Sequence, residues 1–181
     1  MASNRHLGRI IALQTLYEYE FRERSGDWPD LDDILKRNLS RYEKAIDDKD
    51  FVKKLVNGVV ENATHLDARL TPLAPDWPIA QIAAIDRTIL RMSVYEMENF
   101  ADIVPPKVVI NEAVELAKSF GSENSSKFIN GVLGTLYREL YPSESGETLL
   151  DNSAPLDNEN PMAQVPNGEM KVEEEDGKEG K

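Results

Sequence analysis

The chain has 181 residues, a net charge of −12 and no cysteine. That length suits one ordinary domain or two small ones, and the missing thiols exclude disulfide scaffolds, thiolate metal sites and cysteine nucleophiles. The two histidines, His6 and His65, are too few for a histidine-rich zinc site, and no metal or cofactor is expected.

The spacing of apolar residues predicts helices almost throughout residues 1–141. Ile10, Leu13, Tyr17 and Phe21 recur at intervals of three and four, which places one stripe on a helix from Arg5 to Arg24. Ser25-Gly26 and Trp28-Pro29-Asp30 break it. Leu31, Ile34, Leu35 and Leu39 mark a second helix, and Phe51, Leu55, Val59, Ala63, Leu66 and Leu70 mark a long third one. Asp47-Asp48-Lys49-Asp50 reads as a capping cluster that opens the third helix, since it lacks the glycine and terminal glutamate of a calcium loop. Pro72, Pro75 and Pro78 then form a stiff connector. A short helix is expected over 79–84. A longer one follows, carrying Ile85, Ile89, Met92 and Met97. After a break at Asp102–Pro106, Val109, Ala113, Leu116 and Phe120 mark the sixth helix, and Ile129, Leu133, Leu136 and Leu140 the seventh.

The fold class expected is all-α, with about seven helices in two small packed bundles, residues 1–72 and 73–141, ahead of an acidic tail at 142–181. That tail holds eleven acids and three lysines, too polar to offset its ordering entropy, and it reads as disordered. The body carries 18 basic and 22 acidic groups, so the total charge does not exclude a basic face for nucleic acid. No run of about 18 apolar residues is present, and the apolar run after Arg9 is too short for a signal-peptide core. No membrane role is expected, and a soluble, cytoplasmic protein is.

Asn57-Gly58 and Asn130-Gly131 look like hairpin turns in isolation. Both sit within helical periodicity, so each glycine is expected to let a neighbouring helix approach closely. The chain has no dinucleotide fingerprint, phosphate-binding loop, metalloprotease motif or nucleophile elbow. Its carboxylates, Glu96 and Glu98 among them, read as solvated helix surface. Binding is therefore the better expectation than catalysis.

Two clusters suggest where. Arg5 and Arg9 fall one turn apart on the first helix with His6 nearby, a small basic pole able to pair with phosphates or merely to solubilise the helix. In AKSFGSENSSKFINGVLG, Gly121 suits the end of the sixth helix, Ser122 the cap of the seventh and Glu123 its first turn. Phe128 lies about 100° to one side of the core stripe, with Asn124 one turn above it and Lys127 adjacent. An aromatic beside an amide and a lysine is the composition of a single-stranded base platform. Peripheral core packing explains Phe128 equally well.

The segments IDRTILRMSVYEM and DIVPPKVVINEAVELAKSFGSENSSKFINGVL, with RHLGRIIALQTLYEYEF and LVNGVVENATHLD, resemble the NusB family of bacterial transcription antitermination factors over roughly residues 5–140. The resemblance implies two small helical bundles and no catalysed reaction. It implies binding to the boxA element of nascent ribosomal RNA leaders together with NusE, within an assembly of RNA polymerase and other Nus factors. It assigns RNA contacts to Arg5, His6, Arg9, Tyr17, Asn124, Lys127 and Phe128, and a NusE-facing surface to Asp86 and Arg87. Leu7 departs from the family pattern at a place often held by arginine, and Asn124 stands where aspartate is common. A helical protein–protein adaptor or homodimer that has lost RNA binding is the alternative, supported by the thinned arginine motif. Whether the chain is a monomer or a dimer is left open. NusB-like domains also occur fused to ribosomal RNA cytosine methyltransferases, but this chain has neither the cysteine nor the length for that enzyme.

Overall fold

In the computed structural model, residues 4–144 are described; the tail expected to be disordered lies outside them from residue 145 on. The described residues form seven α-helices: α1 (Arg5–Arg24), α2 (Leu31–Arg41), α3 (Lys49–Glu61), α4 (Ala63–Leu70), α5 (Ala84–Asn99), α6 (Pro106–Phe120) and α7 (Ser125–Leu140). The all-α reading holds.

Local chemistry sets most of the boundaries. Asn4, Asp30 and Asp48 each accept a hydrogen bond from the backbone N–H three residues on, at 3.3, 3.2 and 2.9 Å. These caps satisfy donors that the first helical turn leaves without partners. Gly26 adopts φ +79°, which lets the chain turn sharply after α1. Pro106 opens α6, where its missing N–H is of no consequence.

The count of seven agrees with the sequence reading, but two of the elements differ. The long third helix is two helices, α3 ending at Glu61 and α4 starting at Ala63, with Asn62 between them donating to the Gly58 carbonyl through both its backbone N–H at 3.1 Å and its side-chain amide at 2.8 Å. The apolar stripe runs straight across that break and hides it. The short helix expected over 79–84 is a single 3₁₀ turn at Ile79–Gln81, followed by extended Ile82. The α6–α7 junction also differs. Gly121 ends α6 in an extended conformation with ψ −170°. Ser122 does not cap α7, which starts at Ser125, and its own N–H is instead bonded to the Ser125 hydroxyl.

One contiguous apolar core draws on every helix. Helix α5 packs against α1, α3 and α4 and also against α6 and α7. Gly58 is a place of close approach: a Cβ there would lie 2.0 Å from the Tyr95 ring. Gly131 has no such neighbour, with nothing within 4 Å of a Cβ placed there. No helix among the described residues is long and apolar enough to cross a membrane.

Candidate nucleic-acid interface

The N-terminal turns of α1 lie beside the α5–α6 connection and the first half of α6, enclosing a shallow cleft of about 260 Å³. Arg5, His6 and Arg9 all line it, opposite Ile103, Val108 and Glu112. The structure therefore brings the basic pole together, but as compensated charge. Arg9 is buried, and its Nε and Nη2 donate to the two Glu96 carboxylate oxygens at 2.9 and 2.8 Å. Its Nη1 lies 3.5 Å from Glu112. His6 Nδ1 lies 2.7 Å from a Glu112 oxygen. Arg5 donates to the Ile103 carbonyl at 3.0 Å and sits 3.6 Å from Asp48. Both guanidinium groups rest over the Phe51 ring, 5.5 and 5.3 Å from its centroid. Leu7, between them, packs against the core.

Glu96 corrects the sequence reading. Its side chain is buried, not solvated. Burial pushes its carboxyl upward, and the bidentate Arg9 opposes that shift by stabilising the charged form. Glu96 and Glu112 are the site residues that sequence reasoning missed. They stand 87 and 106 positions from their α1 partners, and no local pattern links residues so far apart.

The second cluster lies at the start of α7. Asn124 and Lys127 are exposed and Phe128 is half-buried against the core. The Phe128 N–H donates to the Asn124 carbonyl at 3.1 Å, so the two move as one turn. Asn124 makes no side-chain cap. Among the described residues, neither its amide nor the Lys127 ammonium has a hydrogen-bond or ion-pair partner. Phe128 thus packs against the core, as expected of a peripheral core residue, while remaining partly exposed. Tyr17 lies on α1, two turns beyond Arg9. It is 38% exposed and stacked on Phe21, with ring centroids 6.5 Å apart.

Asp86 and Arg87 are inside the fold and offer little surface, at 7% and 1% exposure. Arg87 donates to Glu20 at 2.7 Å and to the Ile82 carbonyl at 2.8 Å. Glu20 also faces Arg91, which holds Asp67 through two bonds of 2.7 and 2.8 Å. The network ties α1, α4 and α5 together. Asp86 accepts a hydrogen bond from the Ser125 hydroxyl at 3.0 Å.

A sequence model described as the NusB family matches residues 6–138. The chain belongs to the NusB family. It is 43% identical over 143 residues to the transcription antitermination protein NusB of Roseiflexus castenholzii, covering 77% of this chain and 97% of that protein. The NusB of Chloroflexus aggregans is 40% identical over 149 residues, covering 81% and 96%. Among solved structures, T. maritima NusB superposes with TM-score 0.68 at 31% identity, over 82% of this chain and all of that one. A chain from a complex of NusB and NusE with double-stranded RNA superposes with TM-score 0.66 at 25% identity, over 77% and 99%. As a NusB-family protein the chain is a transcription antitermination factor and not an enzyme.

Proposed function

We propose that this protein binds the boxA element of nascent ribosomal RNA as a single strand, jointly with NusE, and so promotes transcription of ribosomal RNA operons in the cytoplasm. It would act within an assembly of RNA polymerase and other Nus factors. The observation that carries the reading is the α7 edge: an uncommitted amide and ammonium, on Asn124 and Lys127, beside the half-buried ring of Phe128. A chain from a complex of NusB and NusE with double-stranded RNA supports RNA as the class of ligand and NusE as the partner.

In this reading Phe128 and Tyr17 stack on bases and Asn124 reads a base edge. Lys127, Arg5 and His6 position phosphates. Arg9 contributes by holding the cleft wall through Glu96, and Asp86 and Arg87 shape the partner-facing side from beneath. Titration of boxA RNA and of a mutated boxA, each with and without NusE, tests the reading. Preferential binding of boxA is expected, weakened at least several-fold by Phe128→Ala. An unchanged titration for that variant removes Phe128 from the site.

The alternative, a helical adaptor or homodimer without RNA binding, draws support from the charge compensation at the pole. Arg5, His6 and Arg9 each already face a carboxylate. Equal affinity for boxA and mutated boxA under both conditions would favour it.

A further inference from the structure

Helix α7 begins without a side-chain cap of its own. Asn124, a residue well suited to that task, leaves its amide free. The start of the helix is held from elsewhere. The Ser125 hydroxyl donates to Asp86 Oδ2 at 3.0 Å and accepts the Ser122 N–H at 2.8 Å. One buried hydroxyl thus joins the first turn of α5, the α6–α7 turn and the first residue of α7. Gly121 closes the junction. A Cβ there would lie 2.5 Å from Ser125 Cβ and 2.7 Å from the Ala117 carbonyl oxygen.

This arrangement is an expensive way to start a helix. Asp86 is 7% exposed, and its Oδ1 has no hydrogen-bond partner among the described residues. A buried carboxylate oxygen without a partner is destabilising, whereas an Asn124 cap would fix the turn at no such cost. What the arrangement does achieve is geometric. It sets the first turn of α7 against α5 while keeping Asn124 open, directly before Ser125 and one turn above Phe128.

We infer that Asp86 is a positioning residue for the RNA-facing edge of α7, acting through the Ser125 hydroxyl to hold Asn124 and Phe128 in register. The inference rests on the reading that this edge contacts RNA. It gives Asp86 a task toward the nucleic acid beside its place beneath the partner-facing side.

The test compares Ser125→Ala, Asp86→Ala and Asp86→Asn, each alone and with Phe128→Ala, in boxA titrations with NusE present. Thermal melts confirm that each variant is folded at the assay temperature. Amide hydrogen exchange of the free protein over residues 122–128 is read in parallel. Loss of one hydrogen bond sets the scale of the effect at roughly three- to tenfold. Ser125→Ala and Asp86→Ala are expected to weaken boxA binding by that factor and to speed exchange across the segment. Asp86→Asn, which keeps an acceptor for the hydroxyl, should restore affinity. Combined with Phe128→Ala, neither alanine variant should add more than about twofold, because both act through the same edge. Wild-type affinity or unchanged exchange in Ser125→Ala, alongside a loss in Phe128→Ala, overturns this inference alone. So do losses that add fully. Failure of the unmodified protein to prefer boxA overturns the RNA reading and this inference with it.

Discussion

Arg9 shows how one side chain can look like a ligand contact and serve as a strut. It is 3% exposed, and its bidentate pair with Glu96 joins α1 to α5. Removing one partner of such a pair leaves an uncompensated buried charge. Arg9→Ala is therefore expected to destabilise the fold by about 3–5 kcal/mol, while replacing both residues with apolar ones of similar volume should recover most of that. Urea unfolding of the single and double variants checks this. RNA binding by any Arg9 variant is meaningful only where the protein is still folded. At Asp86, burial raises the carboxyl above its ordinary range and the Ser125 hydrogen bond opposes the shift. The folded state thus holds the Asp86 proton more tightly than the unfolded chain. Its contribution is fully favourable below the ordinary aspartate value of about 3.9 and is lost as pH rises through the raised folded value. Asp86→Asn, always neutral, should melt above wild type at pH 7, and the gap should close as pH falls toward about 4. A constant gap would contradict the assignment.

At the scale of elements, the near-identical contexts around Gly58 and Gly131 are put to different uses. Gly58→Ala drives a methyl into the Tyr95 ring and is expected to cost about 1–3 kcal/mol through overpacking. Gly131→Ala meets nothing within 4 Å and should stabilise by up to about 1 kcal/mol through helix propensity. Denaturant midpoints for the pair settle both. Periodicity found α1, α2, α6 and most of α7 because each buries a single stripe. It missed the break at Asn62, since the apolar stripe continues from Val59 through Leu66 to Leu70 across it. It placed the start of α7 too early because Ser122 and Glu123 have the right composition for a cap and a first turn. The hydroxyl that organises the junction belongs to Ser125, and its partner lies 39 residues away.

Across the whole molecule, α5 meets both the helices before it and those after it, and the candidate site is built from parts remote in sequence. The residue types at the α1 pole and the α7 edge were legible, and so, through the resemblance, was the family. The state of those residues was not. Whether Arg9 faces water or Glu96, and whether Asp86 faces a partner or Ser125, depends on contacts across dozens of positions. The compensated pole has a consequence for binding. With Arg5, His6 and Lys127 as the phosphate contacts, the slope of log affinity against log salt for a single strand titrated without NusE should be no steeper than about −2. The measurement that bears most directly on the RNA assignment is a salt-resolved boxA titration with NusE, for the intact protein and for Phe128→Ala. The expected result is preferential boxA binding, and a several-fold loss in Phe128→Ala with the salt slope unchanged. Equal affinity for boxA and mutated boxA, or a Phe128→Ala titration that overlays the unmodified protein, would contradict it.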